Sequence, residues 1–220
     1  EFSNPRKAGI IAVDLDPGDY LIGAALTDGR HDVMLFSDGG KAVRFDEDDV
    51  RPMGRNARGV RGMALEPAQN VIAMLVADQD ETHSVSDEAA PVSVLCATEN
   101  GYGKRTSIVE YTRHGRGTKG MIAIQQTERN GKVVAATLVR PHDEIMLITD
   151  KGVLVRTRVS EIRELGRATQ GVTLIALDGG TQLSGVQRIV ENDANGDANG
   201  DASNEPTGDA GDEPPTEENS

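Results

Sequence analysis

The sequence predicts an all-β fold built from repeated blades of four short antiparallel strands, followed by a disordered acidic tail. Three observations carry this: a motif recurring in register at steps of 61 and 51 residues, short apolar runs closed by turn residues, and a change of composition near residue 190. No apolar period of 3.6 residues runs between two caps, so helices are not expected.

The recurring motif is G-R-x-x-x-G followed by Val or Met. It appears as Gly54-Arg55-Asn56-Ala57-Arg58-Gly59, Gly115-Arg116-Gly117-Thr118-Lys119-Gly120 and Gly166-Arg167-Ala168-Thr169-Gln170-Gly171. Upstream, the same offsets align Val33-Met34-Leu35-Phe36 with Val94-Leu95-Cys96-Ala97 and Ile145-Met146-Leu147-Ile148, and they superpose Arg44, Arg105 and Arg156. An earlier partial copy ends at Gly9, fifty residues before Gly59, so the repeats end near 9, 59, 120 and 171.

Within one repeat each element has a local cause. Residues 21–26 (LIGAAL) form an apolar run between Gly-Asp and Thr-Asp, the first expected strand. Residues 32–36 are the second, closed by Ser37-Asp38-Gly39-Gly40, a hairpin turn because glycine accepts positive φ. Residues 41–45 alternate as the third, and residues 60–65, after the loop, supply the fourth. The ten extra residues of the second repeat fall in the polar segment 78–91, expected to be a lengthened loop. Four short strands every fifty to sixty residues predict a β-propeller of about three and a half repeats. Two packed sheets are the alternative architecture, and that number of copies does not fit them.

The net charge of −13 divides unevenly. Residues 191–220 hold ten Asp or Glu and no Lys or Arg, leaving 26 acids against 23 bases before them, a net of −3. A tail of Asn, Gly, Asp, Pro and Glu buries too little to offset its ordering entropy, so domain boundaries at 1–190 and 191–220 are expected. The tail is either a solubilising appendage or a nucleic-acid mimic that competes for the basic surface. One cysteine, Cys96, excludes an intrachain disulfide and sits in an apolar run, as a buried strand residue would. No run approaches the roughly 18 apolar residues of a membrane span. A soluble, cytoplasmic protein is expected.

Catalytic chemistry finds little purchase. The histidines at 31, 83, 114 and 142 lack metal-ligand spacing, and no nucleophile elbow, Walker loop or dinucleotide fingerprint occurs. No catalytic or metal-binding residue is therefore assigned. The basic residues repeat instead. Arg44, Arg105 and Arg156 share one offset, and Arg55, Arg116 and Arg167 another; Lys41, Lys104, Arg58, Lys119 and Arg158 enlarge the set. A cation at one place on every blade makes a stripe able to follow the phosphates of a bent duplex. Two readings stand for the loop arginines, phosphate contact or capping of carbonyls between blades. For the strand arginines the phosphate reading is preferred. With few aromatics to stack bases, sequence-neutral binding of double-stranded DNA fits better than single-strand binding.

Ser3-Asn4-Pro5-Arg6-Lys7-Ala8-Gly9-Ile10-Ile11, Val33-Met34-Leu35-Phe36-Ser37 and Met53-Gly54-Arg55-Asn56-Ala57-Arg58-Gly59-Val60-Arg61-Gly62 resemble the C-terminal DNA-wrapping domains of DNA gyrase A subunits, within the type IIA topoisomerases. The resemblance extends over residues 1 to about 190. It implies a six-bladed propeller, or β-pinwheel, that wraps DNA on a basic rim and supports ATP-dependent negative supercoiling. It also implies a bacterial, nucleoid-associated enzyme, an A2B2 heterotetramer in which the B subunit, with the rest of the A subunit, is the partner. ATP and Mg would then belong to other parts of that holoenzyme, with no cofactor in this segment.

The family's basic heptapeptide Q-R-R-G-G-K-G is absent, and about half the repeats are present, so the chain is expected to start inside the domain. Residues 181–190 are expected to add a strand to a blade that precedes Glu1, leaving an open arc with an exposed sheet edge. The alternatives are a protein-binding propeller and the equivalent domain of the topoisomerase IV A subunit. Absence of Trp removes the WD signature of one class of protein-binding propeller.

Overall fold

Residues 2–4, 6–80 and 91–189 are described by a computed structural model. The polar insertion between Asp78 and Pro91 falls largely outside these residues, and the whole tail from 191 does. Strands β1 (His31–Ser37) and β2 (Lys41–Asp46) form one hairpin, β4 (Ser93–Thr98) and β5 (Tyr102–Ser107) a second, β8 (Glu144–Thr149) and β9 (Leu154–Arg158) a third. Each is followed by a 3-10 turn, at Glu47–Asp49, Ile108–Glu110 and Val159–Glu161. The remaining strands are β3 (Val71–Asp78), β6 (Met121–Ile122), β7 (Val133–Val139), β10 (Val172–Thr173) and β11 (Leu183–Ile189).

The sheets run β3-β1-β2-β6, β10-β5-β4-β7 and β11-β8-β9, antiparallel throughout. β3, β7 and β11 pack beside one another, so they line the hub and β6 and β10 lie at the outer edge. Between the first two blades, Met34 and Phe36 meet Val94, Cys96, Ile108 and Tyr111. The Phe36 and Tyr111 rings sit edge-on at 6.0 Å, a geometry that adds to the apolar burial. Leu95 and Ala97 then meet Ile145, Leu147, Val159 and Ile162. The second hairpin therefore buries both faces, one against each neighbour, which explains why the run Val92 to Thr98 is shut from solvent at every position.

The structure alters the expected strand order in three places. The strand after each G-R-x-x-x-G loop does not complete its own blade but crosses to the preceding one. β6 pairs with β2 through Lys41↔Ile122 and Ala42↔Met121, and β10 pairs with β5 through Val172↔Gly103 and Thr173↔Tyr102. By the same repeat offset, residues 60–61 would cross to a hairpin upstream of β1; no ladder forms there, and only Met63 makes an isolated bridge, to Thr118. The run at 21–26 likewise occupies the place of β3 and β7 without a strand partner, and Leu21, Ile22 and Leu26 are exposed. Residues 183–189 join β8 of their own hairpin rather than a blade preceding Glu1. β9 has no ladder partner on its outer side among the described residues.

Crossing requires the chain to pass against the neighbouring hairpin, and the last glycine of the loop permits it. Gly120 has φ +72°, and a Cβ there would run into the Ala42 carbonyl oxygen. Gly59 has φ +86° with no atom within 4 Å of that position. Left-handed backbone alone costs a non-glycine residue about 1–3 kcal/mol. Gly120→Ala is therefore expected to lower the urea midpoint well beyond Gly59→Ala, and equal losses would contradict the crossing-point account.

Candidate nucleic-acid interface

The strand arginines were expected to face phosphate, and the loop arginines either phosphate or carbonyls between blades; the structure engages both sets largely with neighbouring blades. The Arg44 guanidinium, on β2, bonds Asp32 across its own hairpin at 2.5–2.6 Å. It also donates to the carbonyls of Ile108 and Tyr111, at the next blade's 3-10 turn, at 3.2 and 3.0 Å. Arg105 repeats the contact one blade on, donating to the Ile162 carbonyl at 2.8 Å, the residue at the offset of Tyr111. Position 93, where the first hairpin has Asp32, is Ser in the second; Glu164 of the following repeat supplies the carboxylate to Arg105 at 3.4 Å. Arg156 turns to Glu144 in its own hairpin, and its side chain is 51% exposed. The expected belt of Arg44, Arg105 and Arg156 therefore does not form: Arg44 is 4% exposed, and the Arg105 side chain 17%. Phosphate cannot reach a guanidinium whose donors are already spent on carbonyls and buried carboxylate.

The loop arginines follow the carbonyl-capping reading with equal regularity. Arg55 donates to the Ile11 carbonyl at 2.8 Å, Arg116 to that of Arg61 at 3.1 Å, and Arg167 to that of Ile122 at 3.0 Å. Residues 11, 61 and 122 share one repeat offset, two after the loop glycine. Each loop thus fastens the crossing segment of the repeat before it. Arg116 further reaches the Asp49 carbonyl at 2.9 Å.

The next cation in the loop is matched by an acid in the preceding repeat. Arg58 pairs with Asp14 and Asp16 at 3.1 and 2.8 Å, and Lys119 with Glu66 at 2.9 Å. Asp16 and Glu66 share an offset. Both pairs are exposed, so they steer the loops more than they stabilise them.

Lys104 departs furthest from expectation. It is fully buried, and its ammonium bonds the carbonyls of Gly166 and Arg167 at 2.5 and 2.6 Å, anchoring the third loop from beneath. Burial pushes its amine down to about 8. Across the ladder, Cys96 is buried and its thiol is pushed up to about 12, chiefly by loss of hydration, consistent with a packed strand residue. Lys41 is half-buried at the start of β2, and Arg158, 71% exposed, stands 3.7 Å from Glu144.

Solvent-facing cations whose side chains make no ion pair or hydrogen bond among the described residues include Arg51, Arg61, Arg163 and Lys151. Arg51 and Arg163 share an offset just after a 3-10 turn; Arg61 lies on a crossing segment. These connections run from the third strand of one blade to the outermost strand of its neighbour, so they follow the outer edge. The sequence hides this set because the middle repeat has Thr112 at the shared offset, with the basic residue one place later. That residue, Arg113, is tied to Asp32 and Asp46 at 2.6 and 3.0 Å.

Similarity to known proteins follows the same repeat. A family described as the DNA gyrase C-terminal domain, a beta-propeller, matches residues 1–28, 31–78, 93–140 and 143–189. The DNA gyrase A subunit of Pseudomonas aeruginosa is 50% identical over 191 residues, covering 87% of this chain and 20% of that protein. Its Escherichia coli counterpart is 49% identical over 191 residues, covering 87% and 21%. The chain thus spans about a fifth of the length of these curated relatives. Among solved structures, a DNA gyrase A C-terminal domain superposes with TM-score 0.71 and 28% identity, over 84% of this chain and 59% of that one. A topoisomerase IV C-terminal domain shares the fold, with TM-score 0.75 and 22% identity over 86% and 56%.

Two outcomes test the placement of the cations. Arg44→Leu strands the buried Asp32 and two carbonyls and should lose about 3–5 kcal/mol of unfolding free energy, whereas Arg156→Leu should lose under about 1 kcal/mol. Lys104 gives a pH signature. Its amine titrates near 8 in the folded chain against 10.5 when unfolded, so between these values the unfolded chain holds a proton that the folded chain has released. Stability from this group accordingly rises with pH across that window. The melting temperature of the parent chain relative to Lys104→Met should climb from pH 8 to pH 10; a flat difference would refute the buried amine.

Proposed function

The chain belongs to the DNA gyrase C-terminal β-propeller family, and from this premise we propose that it binds duplex DNA along its outer edge and bends it without reading base sequence. One observation supports this most: Arg51, Arg61 and Arg163 remain solvent-facing and uncompensated on the outer connections, while the other repeated cations are largely engaged by the fold. Cations on a curved edge neutralise phosphates of a bent duplex and release their counterions, and they carry no base preference. Loops fastened to their neighbours keep these arginines at fixed spacing, so the bend is set by the blades rather than by the DNA.

In the whole protein, this segment acts as the C-terminal part of the gyrase A subunit. There it presents wrapped DNA to the cleavage core for ATP-dependent negative supercoiling, with the B subunit, besides the rest of its own polypeptide, as partner in an A2B2 assembly. ATP and Mg serve those other parts. The cytoplasm, at the nucleoid, is the compartment this role requires. Among the described residues no helix is long and apolar enough to cross a membrane. Gyrase is preferred over topoisomerase IV because the curated relatives at 49–51% identity are gyrase A subunits, whereas the topoisomerase IV likeness is one of fold.

Titrating a labelled duplex of about 40 base pairs at several salt concentrations tests the reading. Affinity should fall steeply with salt, and Arg51→Glu and Arg163→Glu should each flatten the log–log slope by about 0.9 for every phosphate no longer neutralised. Lys119→Glu, at a site already paired with Glu66, should change it far less. A salt-independent affinity, or equal effects of all three, would refute the edge. Nicked circles religated with the chain bound should then show a shifted linking number.

A further inference from the structure

One polar cluster in the first blade takes in a position that is apolar in both others. The residue opening the 3-10 turn is Ile108 in the second repeat and Val159 in the third, 1% and 0% exposed. The first repeat has Glu47 there, and it has His31 where the second has the buried Val92. Both polar side chains are nevertheless mostly shielded, at 13% and 22% exposure. At Glu47 the first blade departs from both sister repeats, which marks the place for a functional reading. Asp28, just before β1, completes the group.

His31 Nδ1 lies 3.1 Å from Asp28 Oδ1 and 3.5 Å from Glu47 Oε1, and the three ligating atoms are all within 4.8 Å of one another. Nδ1 itself is closed to solvent and has no hydrogen-bond partner. Donors held about 2.1 Å from one tetrahedral ion stand roughly 3.4 Å apart, close to the 3.1 and 3.5 Å seen from His31 Nδ1. The carboxylates are oriented by outer contacts, as metal-ligating groups commonly are. The amides of Gly29 and His31 donate to Glu47 Oε1 at 2.9 and 2.8 Å, the Arg30 guanidinium holds Asp28 Oδ2 at 2.8 Å, and the Arg30 amide donates to Asp28 Oδ1, which faces the imidazole, at 3.1 Å.

We propose that Asp28, His31 and Glu47 form a binding site for one divalent transition-metal ion of the Co2+ and Zn2+ type. An imidazole nitrogen with two carboxylates suits such ions, whereas Mg2+ prefers an all-oxygen shell. The bound ion ties the segment before β1 to the 3-10 turn after β2, closing the first hairpin at its open end.

The test uses the full chain titrated with Co2+, followed by visible absorption and by displacement with Zn2+. One equivalent should bind saturably, and Zn2+ but not Mg2+ at the same concentration should raise the melting temperature. His31→Gln and Glu47→Gln should each weaken Co2+ binding roughly tenfold or more. The ten carboxylates of the tail are present in every sample, so a difference between parent and variants isolates the cluster. Should His31→Gln fail to fold, Asp28→Asn carries the same expectation. Absence of saturable binding, equal response to Mg2+, or unchanged affinity in Glu47→Gln and Asp28→Asn would overturn the proposal.

Discussion

A guanidinium reaching out of its own blade to a backbone carbonyl of the next is the interaction on which this architecture turns. A two-residue crossing strand such as β6 or β10 makes too few ladder bonds to hold two blades together. The chain adds two arginine contacts at a junction, one from the hairpin strand and one from the loop. Arg44 and Arg105 hold the 3-10 turn that follows; Arg116 and Arg167 hold the crossing segment that precedes. A planar group with five donors and no titration near neutral pH suits this task better than lysine. The one lysine enlisted for it, Lys104, must be buried with its pKa depressed.

These internal bonds change the electrostatic character of the body. A net of −3 and a set of repeated cations suggest abundant positive surface, yet most of the repeated positions are committed inside the protein. On the function we propose, phosphate affinity rests on a few arginines along the outer connections, held in place by the committed ones. In that proposal, structural and DNA-facing cations are successive layers of one device. The first fixes the spacing of the second, and preorganised spacing is what lets sparse charge follow a bent polyanion.

Much of this was legible in the sequence. The register linking Val33, Val94 and Ile145 gave the blades, and turn residues such as Gly39-Gly40 gave the hairpins. The destination of the crossing strands was not legible, because residues 60–65, 121–122 and 172–173 have the same local pattern whichever sheet they join. Only the nonlocal pairing of Lys41 with Ile122 decides it. The arginine roles were hidden for a related reason. Recurrence at matched offsets is equally expected of a surface stripe and of a junction, and the sequence does not say which carbonyls lie within reach. Asp32, diagonal to the strand arginine across the hairpin, was the available clue, with Glu144 in the same place on the third hairpin. An acid repeated beside a repeated base argues for internal pairing.

Arginine-selective modification read by mass spectrometry, with and without a bound duplex, tests the division of labour most directly. Arg44, Arg105, Arg116 and Arg167 should resist modification in both states, while Arg51, Arg61 and Arg163 should react in the free chain and become protected on DNA. Reactive Arg44 and Arg105 that gain protection from DNA, with Arg51, Arg61 and Arg163 indifferent to it, would contradict the account.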